Sequence, residues 1–209
     1  DSSVSSTLSA MTGLKTIVLS MPIKQKENQH NLSLKHQKWL VEKFENVEAH
    51  TINLDDLFQS FSSTLIKFNN EHGYANSRAR LRMATLYQVA SANKGIVVGT
   101  GNKVEDFGVG FYTKYGDGGV DISPIADCNK SEVWELGKEL GILKEIIDAQ
   151  PTDGLWDDGR TDEGQLGFKY KELEDAMINP DSPHRAEYEK IRKQNLHKME
   201  PIPVCKIPS

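Results

Sequence analysis

Apolar positions along the chain follow two rhythms. One is the short unbroken run. Residues 15–21, KTIVLSM, are β-rich and continuous, which predicts a strand covered on both faces. Residues 95–100, GIVVGT, predict a second such strand, and residues 120–125, VDISPI, a shorter one. EAHTINL, 48–54, predicts a further strand.

The other rhythm is helical. Leu32, Leu34, Trp39, Leu40, Val41 and Phe44 recur at helical spacing, predicting a helix over 32–44 after a polar loop, PIKQKENQHN. Residues 55–70 predict a helix. The stretch ANSRARLRMATLYQVASAN predicts a strong one, with Leu81, Ala84, Leu86, Tyr87 and Ala90 on one side. SEVWELGKELGI predicts another. The small residues of DSSVSSTLSAMTG predict a helix leading into the first strand. Helices alternating with buried strands argue an α/β chain: a parallel sheet with helices on both faces. No internal repeat is visible.

The tail breaks the alternation. Residues 150–168 hold five Asp or Glu, four Gly and one Pro, with no periodicity. A loop of that length within a compact fold is functional or disordered. Two helical stretches follow, from about Lys171 and about Pro183, and then a Pro-rich end, MEPIPVCKIPS.

Composition narrows the function classes. With 209 residues the chain suits one domain. The net charge of −5, with both signs interspersed, leaves no basic stripe for nucleic acid and no polybasic membrane anchor. Cys128 and Cys205 match no metal spacing and no disulfide framework, which suits a reducing cytoplasm. No apolar run approaches the ~20 residues of a membrane span.

Candidate chemistry collects at strand ends, where open α/β sheets bind ligands. Thr100, Asn102 and Glu105 follow the 95–100 run. Lys114, Asp117 and Asp121 lie in the glycine-dense FYTKYGDGGVD. GTGNKV is not a dinucleotide fingerprint: Val104 stands where the third glycine belongs, so GTG reads as a strand-end turn. On a helix, Arg78 and Arg82 share a face, while Arg80 points about 160° away from each of them. The three cannot form one patch. Arg78 and Arg82 read as solvated, and Arg80 as free to meet a phosphate or carboxylate. Glu105 alone reads as a helix-start acid. A second carboxylate from another strand end would make a Mg²⁺ site, since Mg²⁺ takes one or two carboxylates plus substrate phosphates, and Asp1 is the candidate.

Taken together, these residues resemble the ammonia-dependent NAD synthetases, N-type ATP pyrophosphatases. The match runs over nearly the whole chain. Its most specific blocks are ARLRM and VVGTGNKVEDFGVGFYTKYGDGGVDISPI, supported by PTDGL, TDEGQLG and the terminal HK. The resemblance implies a Rossmann-like, adenine-nucleotide α-hydrolase-like sheet, a homodimer, and ATP-driven amidation of deamido-NAD⁺ by ammonia that releases AMP and pyrophosphate. It implies Mg²⁺ on Asp1 and Glu105. It implies ATP contacts from Ser2, Thr100, Lys130 and Thr152, with Lys130 on phosphate. Arg80, Lys114, Asp121, His197 and Lys198 would face deamido-NAD⁺, the last two reaching a site built largely by the partner subunit. Asp117 would position ammonia. Residues 150–168 resemble the segment that orders over ATP.

The family's phosphate loop is a strand followed by SGGxDS, of which Asp1-Ser2 is the end. The chain therefore reads as one synthetase domain, 1–209, whose first strand and part of whose pyrophosphate loop are expected upstream. A free α-amino group on Asp1 would be mostly protonated beside the metal, with a pKa near ~8. Two rival readings stand beside this one: another ATP pyrophosphatase such as GMP synthetase, and a nucleotide-binding or dimerisation fragment without catalysis.

Overall fold

The computed structural model describes residues 1–156, 158 and 160–207; residues 157 and 159 of the predicted acidic loop lie outside them. The elements run α1 (Ser2–Met11), β1 (Thr16–Ser20), α2 (Glu27–Lys43), β2 (Val47–Thr51), α3 (Asp55–Thr64), a 3₁₀ turn (Ile66–Phe68), α4 (Glu71–Ala92), a π-helix (Lys103–Val109), α5 (Lys130–Glu139), α6 (Lys144–Ile147), α7 (Asp162–Leu166), α8 (Tyr170–Ile178) and α9 (Arg185–Met199). No helix among the described residues is long and apolar enough to cross a membrane.

β1 and β2 pair in parallel, Thr16 opposite Val47 through Ser20 opposite Thr51. α2 forms the crossover between them, as a parallel pair requires. Its Gln37 side chain reaches under both strands and donates to the Val18 and His50 carbonyls. α1 is buried through Val4, Ser5, Thr7 and Ala10. Small residues let this helix sit close to its neighbours: Val4 packs with Ile125, Val133 and Ile142, and Ala10 with Leu40 and Val47.

The segments 95–100 and 120–125 are less regular than their apolar runs predict. They meet in a single parallel bridge, Val98 to Ile122, with Gly99 N donating to Ile122 O at 2.7 Å and Asp121 N to Val97 O at 2.9 Å. A strand lengthens only where a neighbour supplies hydrogen bonds along it, and among the described residues these bonds stop after Gly99. Ile96, ahead of the bridge, is exposed. α2 also begins five residues before Leu32, because its first turn is polar and solvated and so carries no apolar signal. The predicted acidic loop contains a short helix, α7, whose first turn is capped by Thr161.

The carboxyl-terminal half has its own core. Val104 and Val109 of the π-helix pack with Tyr170, Leu173 and Ala176 of α8 and with Tyr188 of α9. This core positions the site.

Candidate active site

The site is built around Asn102, which is fully buried. Its Oδ1 accepts from the Val104 and Glu105 amides at 3.0 Å each, starting the π-helix. Its Nδ2 donates to Asp1 Oδ2 at 3.1 Å. One amide side chain thus fixes both a helix start and a carboxylate from the far end of the chain. Sequence reasoning placed Asn102 at a strand end and gave it no role; an Asn just ahead of a helical segment is an N-cap signal.

π-helices are rare and gather at functional sites. Here the turn carries Glu105 inward. It ends at Gly110, whose φ is +68° and whose added Cβ would stand 2.6 Å from Asn195 Cβ. One face of α9 supplies donors to the carbonyls that the turn leaves open. Arg192 donates to Phe107 O and Gly108 O, Asn195 to Val109 O, and Lys198 to Gly110 O and Tyr112 O.

Asp1, Glu105 and Lys130 converge. The buried Lys130 ammonium lies 2.7 Å from Asp1 Oδ2 and 3.0 Å from Glu105 Oε1. The Tyr170 hydroxyl donates to the same Glu105 oxygen at 2.6 Å. Burial alone would raise the Glu105 pKa, but the Lys130 charge and the Tyr170 hydrogen bond hold it below the usual carboxylate range. Asp162, at the start of α7, is pushed up to about 7, first by burial and then by Glu105. Asp106 is likewise pushed up to about 7 by burial, Glu105 and Asp117. Its carboxylate lies so close to Gly101 that a Cβ there would be 1.9 Å from Oδ2, so the glycine serves the carboxylate's fit.

Asp1 Oδ1 is buried and has no hydrogen-bond partner. An orphaned anionic oxygen beside a second carboxylate fits a hard cation. Among the described residues no group of three or more His, Cys, Asp or Glu forms a complete cage. Two carboxylates with further oxygens from phosphate is the set Mg²⁺ takes.

The remaining predicted residues fall into a second group. Arg80 is exposed and donates to Lys114 O at 3.3 Å, and Lys114 Nζ reaches His197 O at 2.5 Å. With Lys198 this makes a basic run from α4 to α9. Asp121 stands apart, accepting from Tyr87 OH at 3.1 Å and Val97 N at 2.8 Å. Asp117 accepts from Thr113 N at 2.9 Å and is raised by burial. Thr152 accepts from Gly154 N at 3.2 Å and donates to Arg160 O at 3.0 Å, shaping the acidic loop. Ser2 opens α1, and Thr100 closes the 95–100 segment.

Arg78 and Arg82 correct the solvated reading. Arg78 is 6% exposed; it donates to Leu155 O at 2.9 Å and lies over the Phe58 ring at 4.9 Å. Arg82 donates to Met21 O and Gln25 Oε1 at 3.0 Å each, and burial, then Arg78, lowers its pKa to about 10. The acidic loop and the segment after β1 fold onto this helix face, which local periodicity cannot foresee.

The chain is similar to known proteins over most of its length. The sequence pattern of the family described as NAD synthase matches residues 1–206. The NH3-dependent NAD+ synthetase of Alkaliphilus oremlandii is 40% identical over 78% of this chain and 62% of its own length. The chain thus spans less than two thirds of that relative. Among solved structures, the NMN synthetase of Francisella tularensis superposes with a TM-score of 0.88 at 32% identity, covering 99% of this chain and 85% of that one. The NH3-dependent NAD synthetase of Campylobacter jejuni shares the fold at a TM-score of 0.71 and 23% identity, over 97% of this chain and 86% of that one. The fold is the Rossmann-like sheet of these enzymes, and the chain belongs to the NAD synthase family.

Proposed function

We propose that the protein carrying this chain amidates the nicotinate carboxylate of deamido-NAD⁺ with ammonia, consuming ATP to AMP and pyrophosphate through an adenylated intermediate. The observation that carries this reading is the buried trio Asp1, Glu105 and Lys130, with an orphaned Asp1 oxygen beside a buried ammonium. A carboxylate is a poor electrophile, and joining it to AMP makes AMP the leaving group. That step gathers charge on pyrophosphate. Asp1 and Glu105 would hold Mg²⁺, which when bound neutralises phosphate charge. Lys130 would turn from the carboxylates to a phosphate oxygen, Ser2 would belong to the pyrophosphate loop, and Thr100 and Thr152 would contact ATP. Arg80, Lys114, Asp121, His197 and Lys198 would hold the dinucleotide. Asp117 would position ammonia for attack on the acyl carbon.

The anhydride must be kept from water. The segment 150–161 suits that task, because it is fastened by Arg78 at Leu155 and by Lys26 at Asp158. The proposal includes a homodimer working in the cytoplasm. Support for the dimer comes from the exposed apolar tail, where Ile202 and Val204 stand largely in solvent in the single chain. It also includes a further strand and the rest of the phosphate loop from outside this chain; β1 is hydrogen-bonded along one edge among the described residues.

A second acceptor has a specific observation behind it. The F. tularensis NMN synthetase superposes at 0.88, against 0.71 for the C. jejuni enzyme. The acid form of NMN offers the same nicotinate carboxylate without the adenylyl half. Family membership leaves the GMP synthetase reading without support. The test is a pair of assays with the intact protein, ATP, Mg²⁺ and ammonia. Deamido-NAD⁺ is expected to give NAD⁺ with stoichiometric AMP, faster than nicotinate mononucleotide gives NMN. A reversed preference moves the assignment to the mononucleotide. No amidation of either acid removes both.

A further inference from the structure

Tyr170 is buried at the first turn of α8, and its position is fixed from three sides. Its ring meets Trp134 edge-on, with centroids 5.9 Å apart and planes at 83°. Its amide donates to Glu163 Oε1 at 3.1 Å. Its hydroxyl donates to Glu105 Oε1 at 2.6 Å and lies 3.3 Å from Asp162 Oδ2. Asp162 is itself buried, and its Oδ1 has no hydrogen-bond partner. A phenol so embedded in an apolar core needs a partner for its hydroxyl, and Leu or Phe would fill the same volume without that demand.

We propose that Tyr170 is a positioning residue: its hydroxyl pins one oxygen of Glu105, so that the carboxylate is aimed at the metal, and through Asp162 it joins that aim to the segment 150–166. Outer partners that hydrogen-bond a ligating carboxylate set its direction, and removing one typically costs about 10–100-fold in metal affinity or activity. Lys130 approaches the same oxygen at 3.0 Å. When Lys130 turns to phosphate, Tyr170 is the contact that stays, because it is anchored by the core and not by a flexible stem. The proposal rests on the reading of Glu105 as a metal ligand.

The test uses the intact protein with Mn²⁺ and a non-hydrolysable ATP analogue, reading bound Mn²⁺ by electron paramagnetic resonance, so that turnover plays no part. Tyr170→Phe keeps the ring and removes the hydroxyl. It is expected to keep the fold, shown by unchanged circular dichroism, and to weaken Mn²⁺ binding by about 10-fold or more. Glu105→Ala is the control and is expected to lose that Mn²⁺. Binding in Tyr170→Phe within twofold of the parent, with Glu105→Ala defective, overturns the positioning role and leaves the metal site standing. Binding retained in Glu105→Ala overturns the metal-site reading itself. If Tyr170→Phe fails to fold, Asp162→Asn carries the test: severalfold weaker Mn²⁺ binding supports the link, and unchanged binding overturns it.

Discussion

Asn102 Nδ2 donates to Asp1 Oδ2 at 3.1 Å, tying together residues 101 positions apart. The same side chain caps the π-helix that carries Glu105. One side chain therefore bears both on the Asp1 carboxylate and on the start of the helix that carries Glu105. Asn102→Ala would strip that cap and leave buried amides unpaired. A cap loss of about 1–2 kcal/mol is expected, read as a lower midpoint in urea, together with weaker Mn²⁺ binding in the presence of the ATP analogue. Unchanged stability and metal binding would show that the two carboxylates are fixed by something else.

Asp106 makes the site sensitive to pH. Its pKa is pushed up to about 7, first by burial and then by Glu105 and Asp117, against an ordinary value of 3.8. The folded state holds this proton more tightly than the unfolded chain does. Between about pH 4 and pH 7 the unfolded state therefore binds fewer protons, and Asp106 makes stability fall as pH rises. Asp106→Asn should be more stable than the parent at pH 7.5 and close to it at pH 4.5. Urea titrations at the two pH values check the sign; a variant less stable at pH 7.5 would contradict it.

Arg78 fastens the acidic loop through Leu155. Arg78→Ala would free that carbonyl and empty the place above Phe58. The segment 150–161 should then open more often, because local stability follows local contacts. Limited trypsin digestion is expected to cut at Arg160 several times faster in the variant, with the rest of the fold protected. Equal cutting rates would mean the loop is held chiefly elsewhere.

Gly110 combines a left-handed backbone with close packing on α9. An alanine there meets the strain of φ +68° and a Cβ contact of 2.6 Å to Asn195. The backbone penalty alone is about 1–2 kcal/mol. Gly110→Ala is expected to lose at least that much in thermal or urea unfolding, whereas Gly167→Ala, also left-handed but with open space around it, should lose only the backbone share.

Much of this was legible in the sequence. A continuous apolar run located β1, the small residues ahead of it α1, and helical patterning α4, α5 and the pair α8 and α9, while the angular argument separated Arg80 from Arg78 and Arg82. Resemblance brought Asp1, Glu105 and Lys130 to one place, where the structure also brings them. What the sequence withheld depends on partners. Residues 95–100 look like a full strand, yet hydrogen bonds reach only Gly99, and pairing is a property of neighbours. Arg78 and Arg82 look solvated, yet a segment seventy-odd residues away folds over Arg78. Tyr170 looks like an ordinary core aromatic, since its hydroxyl partner, Glu105, is 65 positions distant. Lys198, assigned to the dinucleotide by resemblance, spends its ammonium on Gly110 O and Tyr112 O in the single chain.

The row of donors on α9 has a practical consequence for dissecting the protein. Arg192, Asn195 and Lys198 together serve five carbonyls between Phe107 and Tyr112. A clone that stopped at the end of α8 would still encode every carboxylate proposed for the metal and every contact proposed for ATP. It would lack the scaffold that keeps the π-helix in its uncommon winding, and the turn would be free to relax toward ordinary helix and carry Glu105 out of register. Any shortened version of this chain that is meant to keep Glu105 in place therefore has to keep α9.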